Sequence, residues 1–197
     1  MLYEVPRDRF GEAADVAADA FIGASCPVGA FMFQNEPDHL ALKRRFYRSL
    51  VTACPPKAVA SAASPGLEAV SIWFPPGMDH SEDDDPDPIT PEELADPGTL
   101  ERMEAVSGVI DALTEKLGQE PQWYLHLVAV RPEFFGRGYA SRLVAPVLAR
   151  AAEEGLPCTL ITQTMGNVRT YEHWGFEVVK VMPVPGSGER FCSMRRD

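Results

Sequence analysis

Val128-Ala129-Val130-Arg131-Pro132-Glu133-Phe134-Phe135-Gly136-Arg137-Gly138-Tyr139-Ala140-Ser141 passes from an apolar run, through a glycine-spaced turn, into a helical pattern. The order strand, loop, helix gathers unpaired backbone N–H groups and the positive end of a helix dipole, an arrangement suited to a phosphate or pyrophosphate. Spacing excludes two familiar phosphate loops. No Lys follows Gly138 to reach terminal phosphates, as G-x-x-x-x-G-K-[ST] requires, and Ser141 stands where the dinucleotide fingerprint G-x-G-x-x-G needs its third glycine.

A second segment, Asn167-Val168-Arg169-Thr170-Tyr171-Glu172-His173-Trp174-Gly175-Phe176, follows at a distance that leaves room for one helix and one strand. On a helix, Asn167 and Tyr171 project from one face toward a common ligand. Between the two segments, Leu143, Val144, Val147, Leu148 and Ala151 recur at helical spacing, and Gly155 with Pro157 supplies a stop. Pro146 predicts a kink in that helix rather than its end. Cys158-Thr159-Leu160-Ile161-Thr162 reads as a short buried strand, with further strands expected over 176–184 and 189–194.

The pattern [QR]-x-x-G-x-[GA] after Val-x-Pro is filled by Phe135, Gly138 and Ala140 after Val130 and Pro132. Together with N-x-x-x-Y-x-x-x-G-F from Asn167 to Phe176, it resembles the GCN5-related N-acetyltransferase (GNAT) superfamily. Leu160-x-Thr162, the W-Y-L-x-x-V-x-V-x-P lead-in at Trp123 and the closing Phe191-Cys192-Ser193-Met194 resemble its puromycin N-acetyltransferase-like branch. The likeness is good over 123–197 and looser before, where Ile72-Trp73-Phe74-Pro75-Pro76-Gly77 is a secondary match.

The resemblance implies an α/β (α+β) fold, a mixed central sheet of about six to seven strands flanked by helices. It implies direct acetyl transfer from acetyl-CoA to a primary amine of a small molecule. The cofactor would lie along Val128, Ala129 and Val130, with its pyrophosphate on Gly136, Arg137, Gly138, Tyr139, Ala140 and Ser141, and beside Asn167 and Tyr171. Tyr171 matches the general acid that protonates the departing thiolate, and a backbone N–H near Ala129 or Val130 would polarise the carbonyl. Acetylation of a protein or peptide amine, and a non-catalytic acyl-CoA-binding module, remain open alternatives.

One position departs from the pattern. Phe135 fills the Gln or Arg slot and offers no donor, so recognition falls on the backbone from Gly136 to Ser141, at a loss of about 1 kcal/mol. Sliding the register onto Glu133 would place a carboxylate against pyrophosphate and break the Val-x-Pro spacing. Arg137 adds a cation near the phosphates.

The general base is less determined. His126 alternates with Tyr124 and Val128, so the three are expected on one side of a strand. His126 would take the amine proton directly or through water, unless it is a hydrogen-bonded core residue or the amine arrives already neutral. Glu68, on a strand expected over 67–74, is the other candidate.

Composition fits one domain spanning 1–197, with 45% hydrophobic residues. A net charge of −11 argues against nucleic acid, since no basic stripe displaces counterions. No apolar run approaches the length of a membrane span and Met1-Leu2-Tyr3-Glu4 starts no signal peptide, so a cytoplasmic protein off the membrane, monomeric or homodimeric, is expected. Four dispersed cysteines without a C-x-x-C pair read as buried thiols, with no metal site expected. Acidic, proline-rich 78–98 reads as a solvated loop, or as a rim drawing in a cationic amine. Within it Thr90-Pro91-Glu92-Glu93 carries a capping box that starts a short helix.

In the N-terminal half, Phe10 to Phe21 reads as an amphipathic helix ended by Gly23. A second helix starts at Asp38 with Leu42, Phe46, Leu50 and Tyr47 turned inward. Residues 27–37 read as an apolar loop, either tucked on the core or walling the acceptor site. A helix bearing Leu100, Met103, Ile110, Leu113 and Leu117, closed by Gly118, is expected to flank that site.

Overall fold

The structure, a computed structural model, describes residues 2–22, 26–78, 85–117 and 120–197. Seven strands form one sheet in the order β1-β2-β3-β4-β5-β7-β6. They are β1 (Tyr3–Glu4), β2 (Val59–Ala62), β3 (Ala69–Phe74), β4 (Trp123–Val130), β5 (Cys158–Thr162), β6 (Glu177–Pro183) and β7 (Arg190–Arg196). Neighbours run antiparallel except β4 and β5, which are parallel and joined by helix α5 (Tyr139–Glu154), as a parallel crossover requires.

The β4–β5 pairing is brief. It runs from Trp123↔Cys158 to Leu125↔Leu160 and stops, while the other edge of β4 stays paired with β3 as far as Val130↔Ala69. The two parallel strands therefore part company beyond Leu125 and leave a gap in the middle of the sheet.

A β-bulge sets which way the side chains around that gap point. Trp73 pairs with Leu125 but its neighbour Ile72 pairs with Leu127, leaving His126 as the extra residue. The alternation of β4 is thereby reversed. Leu125 packs with Trp73, Val144 and Leu160 on the α5 side, whereas Leu127 and Ala129 pack with Ile72 and helix α1 (Phe10–Phe21) on the other. The expectation that Tyr124, His126 and Val128 share a face is corrected accordingly. Tyr124 and His126 lie beside Phe74, while Val128, opposite Ser71, packs into the α5-side cluster.

α1 sits close on its face of the sheet because Ala13, Ala14 and Ala17 are all small and fully buried. Helix α3 (His39–Thr52) lies against α1 and buries Tyr47 and Val51. Arg44 ties them through Asp15 and Asp19, and Asp19 also holds Arg131 at the end of β4 at 2.6 Å. Leu42, Phe46 and Leu50 are only half-buried.

Two elements differ from expectation. Residues 27–32 form a helix, α2 (Pro27–Met32), rather than a loop: Pro27 occupies its first turn, and six residues are too few to show a helical period. Helix α4 (Gly98–Lys116) buries Thr99, Val106, Val109 and Leu113, and leaves Leu100 38% exposed, so its buried face is rotated from the expected one. α2 and α4 share a third cluster with Phe33, Val184 and Phe191. Pro146 lies inside α5, which continues through it.

Part of the acidic segment is anchored rather than free. Arg45 of α3 binds Glu93 at 2.7 Å, the Asp87 carboxylate at 3.0 Å and the Pro88 carbonyl, and the Thr90–Glu93 capping box is formed around a single 3-10 turn. Asp79, His80, Glu82, Asp83 and Asp84, and the helix-ending Gly23 and Gly118, lie outside the described residues. All four cysteines are buried free thiols. Among the described residues no helix is long and apolar enough to cross a membrane, and no cluster of His, Cys, Asp and Glu forms a metal site.

Candidate active site

The gap between β4 and β5 opens into a cavity of about 530 Å³. Its wall on the sheet side is Val128, Ala129 and Val130; Gly136, Gly138, Tyr139, Ala140 and Ser141 form one end, and Asn167 and Tyr171 of helix α6 (Met165–His173) face them. The glycine-spaced loop and the Asn-Tyr helix are thus brought together across one space.

Backbone donors line it in two places. The Arg131 N–H bonds the Glu68 carbonyl at 2.9 Å, so in the alternating antiparallel ladder Ala129 also turns its N–H toward β3. Val128 and Val130 turn theirs the other way, into the gap where β5 no longer pairs. Of the two residues expected to polarise a carbonyl, Val130 has the required direction and Ala129 does not. The second group is the N-terminus of α5. Gly138 caps it at φ 75° and Gly136 has φ 75°, a left-handed conformation that L side chains adopt at a cost; it lets the turn present its N–H groups to a ligand.

Tyr171 is held by packing. Its ring meets Trp174 edge-on at 5.5 Å and Phe176 at 6.2 Å. Burial pushes its phenol up to about 12, against a hydrogen bond with Thr162 that lowers it. Tyr171 is accordingly a protonated donor throughout the neutral range. Burial also raises Tyr124, with Tyr171 close enough to add to the shift.

His126 stacks on Phe74 with ring centroids 4.5 Å apart, and its Nε2 lies 2.7 Å from the Leu50 carbonyl oxygen. A carbonyl only accepts, so Nε2 carries the hydrogen and Nδ1 is the basic atom of the neutral ring. His126 lines a second cavity, of about 360 Å³, on the α3 and α4 side of the gap. Tyr124 and Gln163 line it too, and Gln163 Nε2 lies 3.7 Å from Cys26 Sγ, which lines the first. The two cavities approach each other across these side chains.

Two expected participants are placed differently. The Arg137 guanidinium lies 5.3 Å over the Phe134 ring and does not line the cavity. Glu68 lies before β3 in the β2–β3 turn, where Ser64 donates to its carboxylate at 2.8 Å, and it lines neither cavity, which removes it as a base. Phe135 does line the cavity, 54% exposed at its rim, with no donor to add.

Sequence reading missed Trp174, whose indole N–H donates to Ser141 Oγ at 3.2 Å and so links α6 to the start of α5. Ala20, Phe21 and Cys26 of the cavity wall were also missed. They come from α1 and the chain after it, distant in sequence, and only the packing of α1 on β4 brings them in. Burial pushes the Cys26 thiol up to about 11, so it stays protonated and weakly nucleophilic.

The family model described as "Acetyltransferase (GNAT) family" matches residues 69–176, more than half of the chain and all of the elements from β3 to α6. The chain belongs to this family. An uncharacterized N-acetyltransferase of Schizosaccharomyces pombe is 36% identical over 66 residues, which cover 34% of this chain and 26% of that protein. The chain thus matches about a quarter of the length of that curated relative. Among solved structures, an acetyltransferase from Corynebacterium glutamicum, described as histone acetyltransferase HPA2 and related acetyltransferase, is 18% identical with a TM-score of 0.62 over 100% of this chain and 94% of its own. The polyamine N-acetyltransferase of Drosophila melanogaster is 14% identical with a TM-score of 0.63, covering 99% and 98%. At these identities the structures share the GNAT fold of this chain.

Proposed function

We propose that this GNAT protein transfers the acetyl group of acetyl-CoA directly to a primary amine of a small molecule. The observation that carries the reading is the gap beyond Leu125, where the outward N–H groups of Val128 and Val130, the N-terminus of α5 and the phenol of Tyr171 border one cavity. Pyrophosphate suits the loop from Gly136 to Ser141, and a pantetheine arm suits the free edge of β4, which can pair with its amides as a strand would. The solved polyamine N-acetyltransferase neighbour and the resemblance to the puromycin N-acetyltransferase-like branch favour a small-molecule acceptor.

The amine nitrogen bonds to the thioester carbon, and the carbonyl oxygen gains charge that a Val130 N–H stabilises. The C–S bond then breaks, and the departing thiolate takes the Tyr171 proton. The proton shed by the amine passes to His126 Nδ1, and solvent returns both side chains to their starting states. A phenol at about 12 is a weak acid in water, but the thiolate leaves into the same desolvated site, which raises its basicity in parallel. Holding nitrogen and carbonyl carbon in contact supplies much of the acceleration. The protonated state of Cys26 favours this direct route over an acetyl-cysteine intermediate.

Incubation with acetyl-CoA and a panel of primary amines tests the reading. Thiol release coupled to the mass of the acetylated amine supports it. Acetyl-CoA binding without product across the panel, or acetyl carried on the protein itself, overturns it.

A further inference from the structure

We infer that the cavity of about 360 Å³ beside His126 is the acceptor site and that it selects an apolar, singly charged primary amine, an arylalkylamine in preference to a polyamine. The inference rests on the transfer reading above. Phe46, Phe74, Tyr124 and Phe191 supply aromatic walls, and Val106 and Ile110 of α4 add aliphatic ones. Val106, Phe74 and Phe191 are buried, so apolar side chains make up much of the inner end, with the Gln122 and Gln163 amides as neutral polar groups in the lining. Among the described residues the lining contains one carboxylate, Asp111, which with Thr114 is exposed at the rim.

That distribution discriminates between amines. An aryl ring gains by burial against these walls and stacks with aromatic neighbours. A second ammonium or guanidinium would have to leave water for a lining whose buried polar groups among the described residues, such as the Gln122 amide oxygen, are neutral, and an exposed rim carboxylate returns little of that cost. The same apolar wall helps the chemistry. Desolvation disfavours the ammonium and releases the neutral amine that attacks, with His126 at the cavity wall to take the proton. The position of Tyr124, lining this cavity and close to Tyr171 of the other, orients an amine bound here toward the thioester.

The test compares kcat/KM for phenethylamine with that for agmatine and spermidine, in the wild type and in Ile110→Trp, which fills the cavity from a half-buried position on α4. Phenethylamine is expected to be preferred by at least about tenfold, and Ile110→Trp to lower its kcat/KM by a similar factor with acetyl-CoA affinity unchanged. If Ile110→Trp does not fold, judged by circular dichroism, Phe46→Ala replaces it and is expected to raise the KM for phenethylamine. Preference for agmatine or spermidine overturns the inference while leaving transfer intact. Without thiol release from any amine, calorimetry with phenethylamine decides: binding lost in Ile110→Trp sustains the site and removes the transfer reading, and no binding overturns the site.

Discussion

Replacing Tyr171 by Phe removes one oxygen and tests the chemistry with little disturbance to the fold. The ring contacts at 5.5 Å to Trp174 and 6.2 Å to Phe176 do not involve the hydroxyl, and the loss of its hydrogen bond with Thr162 should cost about 1 kcal/mol of stability. If the phenol delivers the proton to the departing thiolate, kcat should fall about 10²- to 10⁴-fold, the range for a positioned general acid. That corresponds to about 2.7 to 5.4 kcal/mol of activation free energy. Acetyl-CoA affinity should change by no more than about threefold, since the loss occurs in the transition state. The pH profile adds a second check. The acid is active while protonated, and with its titration pushed up to about 12 it stays protonated to beyond pH 10. Wild-type kcat should therefore show no alkaline fall below that point that Tyr171→Phe abolishes. The assay is thiol release under saturating acetyl-CoA and amine, with acetyl-CoA affinity measured separately by calorimetry. A variant with wild-type kcat would refute the assignment, and an equal loss in affinity would make Tyr171 a binding residue instead.

Other outcomes follow from the same geometry. Gly138→Ala forces an L side chain to φ 75° at the α5 N-terminus, costing about 1–2 kcal/mol, and should weaken acetyl-CoA about 5- to 30-fold in calorimetry with amine KM unaltered. Phe135→Arg restores a donor at the rim and should tighten acetyl-CoA by about fivefold, while an unchanged affinity would mean that this rim does not face the phosphates. His126→Gln keeps a donor for the Leu50 carbonyl but no base, so kcat should lose most of its value with acetyl-CoA affinity unchanged; an unaltered kcat would return the proton to solvent. Leu113→Ala, at a fully buried position of α4, should cost about 2–5 kcal/mol in denaturant unfolding.

The C-terminal half of the fold was legible because its signals are local. Alternating and apolar runs identify β4 and β5, the glycine spacing identifies the loop, and the i to i+4 relation places Asn167 and Tyr171 on one side of α6. Three features were not legible, each because it depends on pairing between distant segments. The bulge at His126 exists only in register with β3, and it alone decides that His126 and Val128 point apart. The direction of the Val130 N–H depends on which β4 residues exchange hydrogen bonds with β3, which no pattern within β4 reveals. The walls of the cavity beside His126 come from α2, α3, α4, β3, β4, β5 and β7, and the apolar residues of α2 carried no period to mark them as helical. Arg137 shows a different limit. Its charge in the loop suggested a phosphate contact, but a neighbouring aromatic ring, Phe134, holds the guanidinium.

The central claim is direct transfer from acetyl-CoA lodged in the gap between β4 and β5. It is tested most directly by a single turnover with equimolar protein and acetyl-CoA in the presence of phenethylamine, following free thiol, acetylated amine and intact protein mass together. Direct transfer predicts one acetylated amine for each thiol released and a protein mass unchanged at every time point. Acetyl appearing on the protein before it appears on the amine, or thiol released with no acetylated amine, would contradict it.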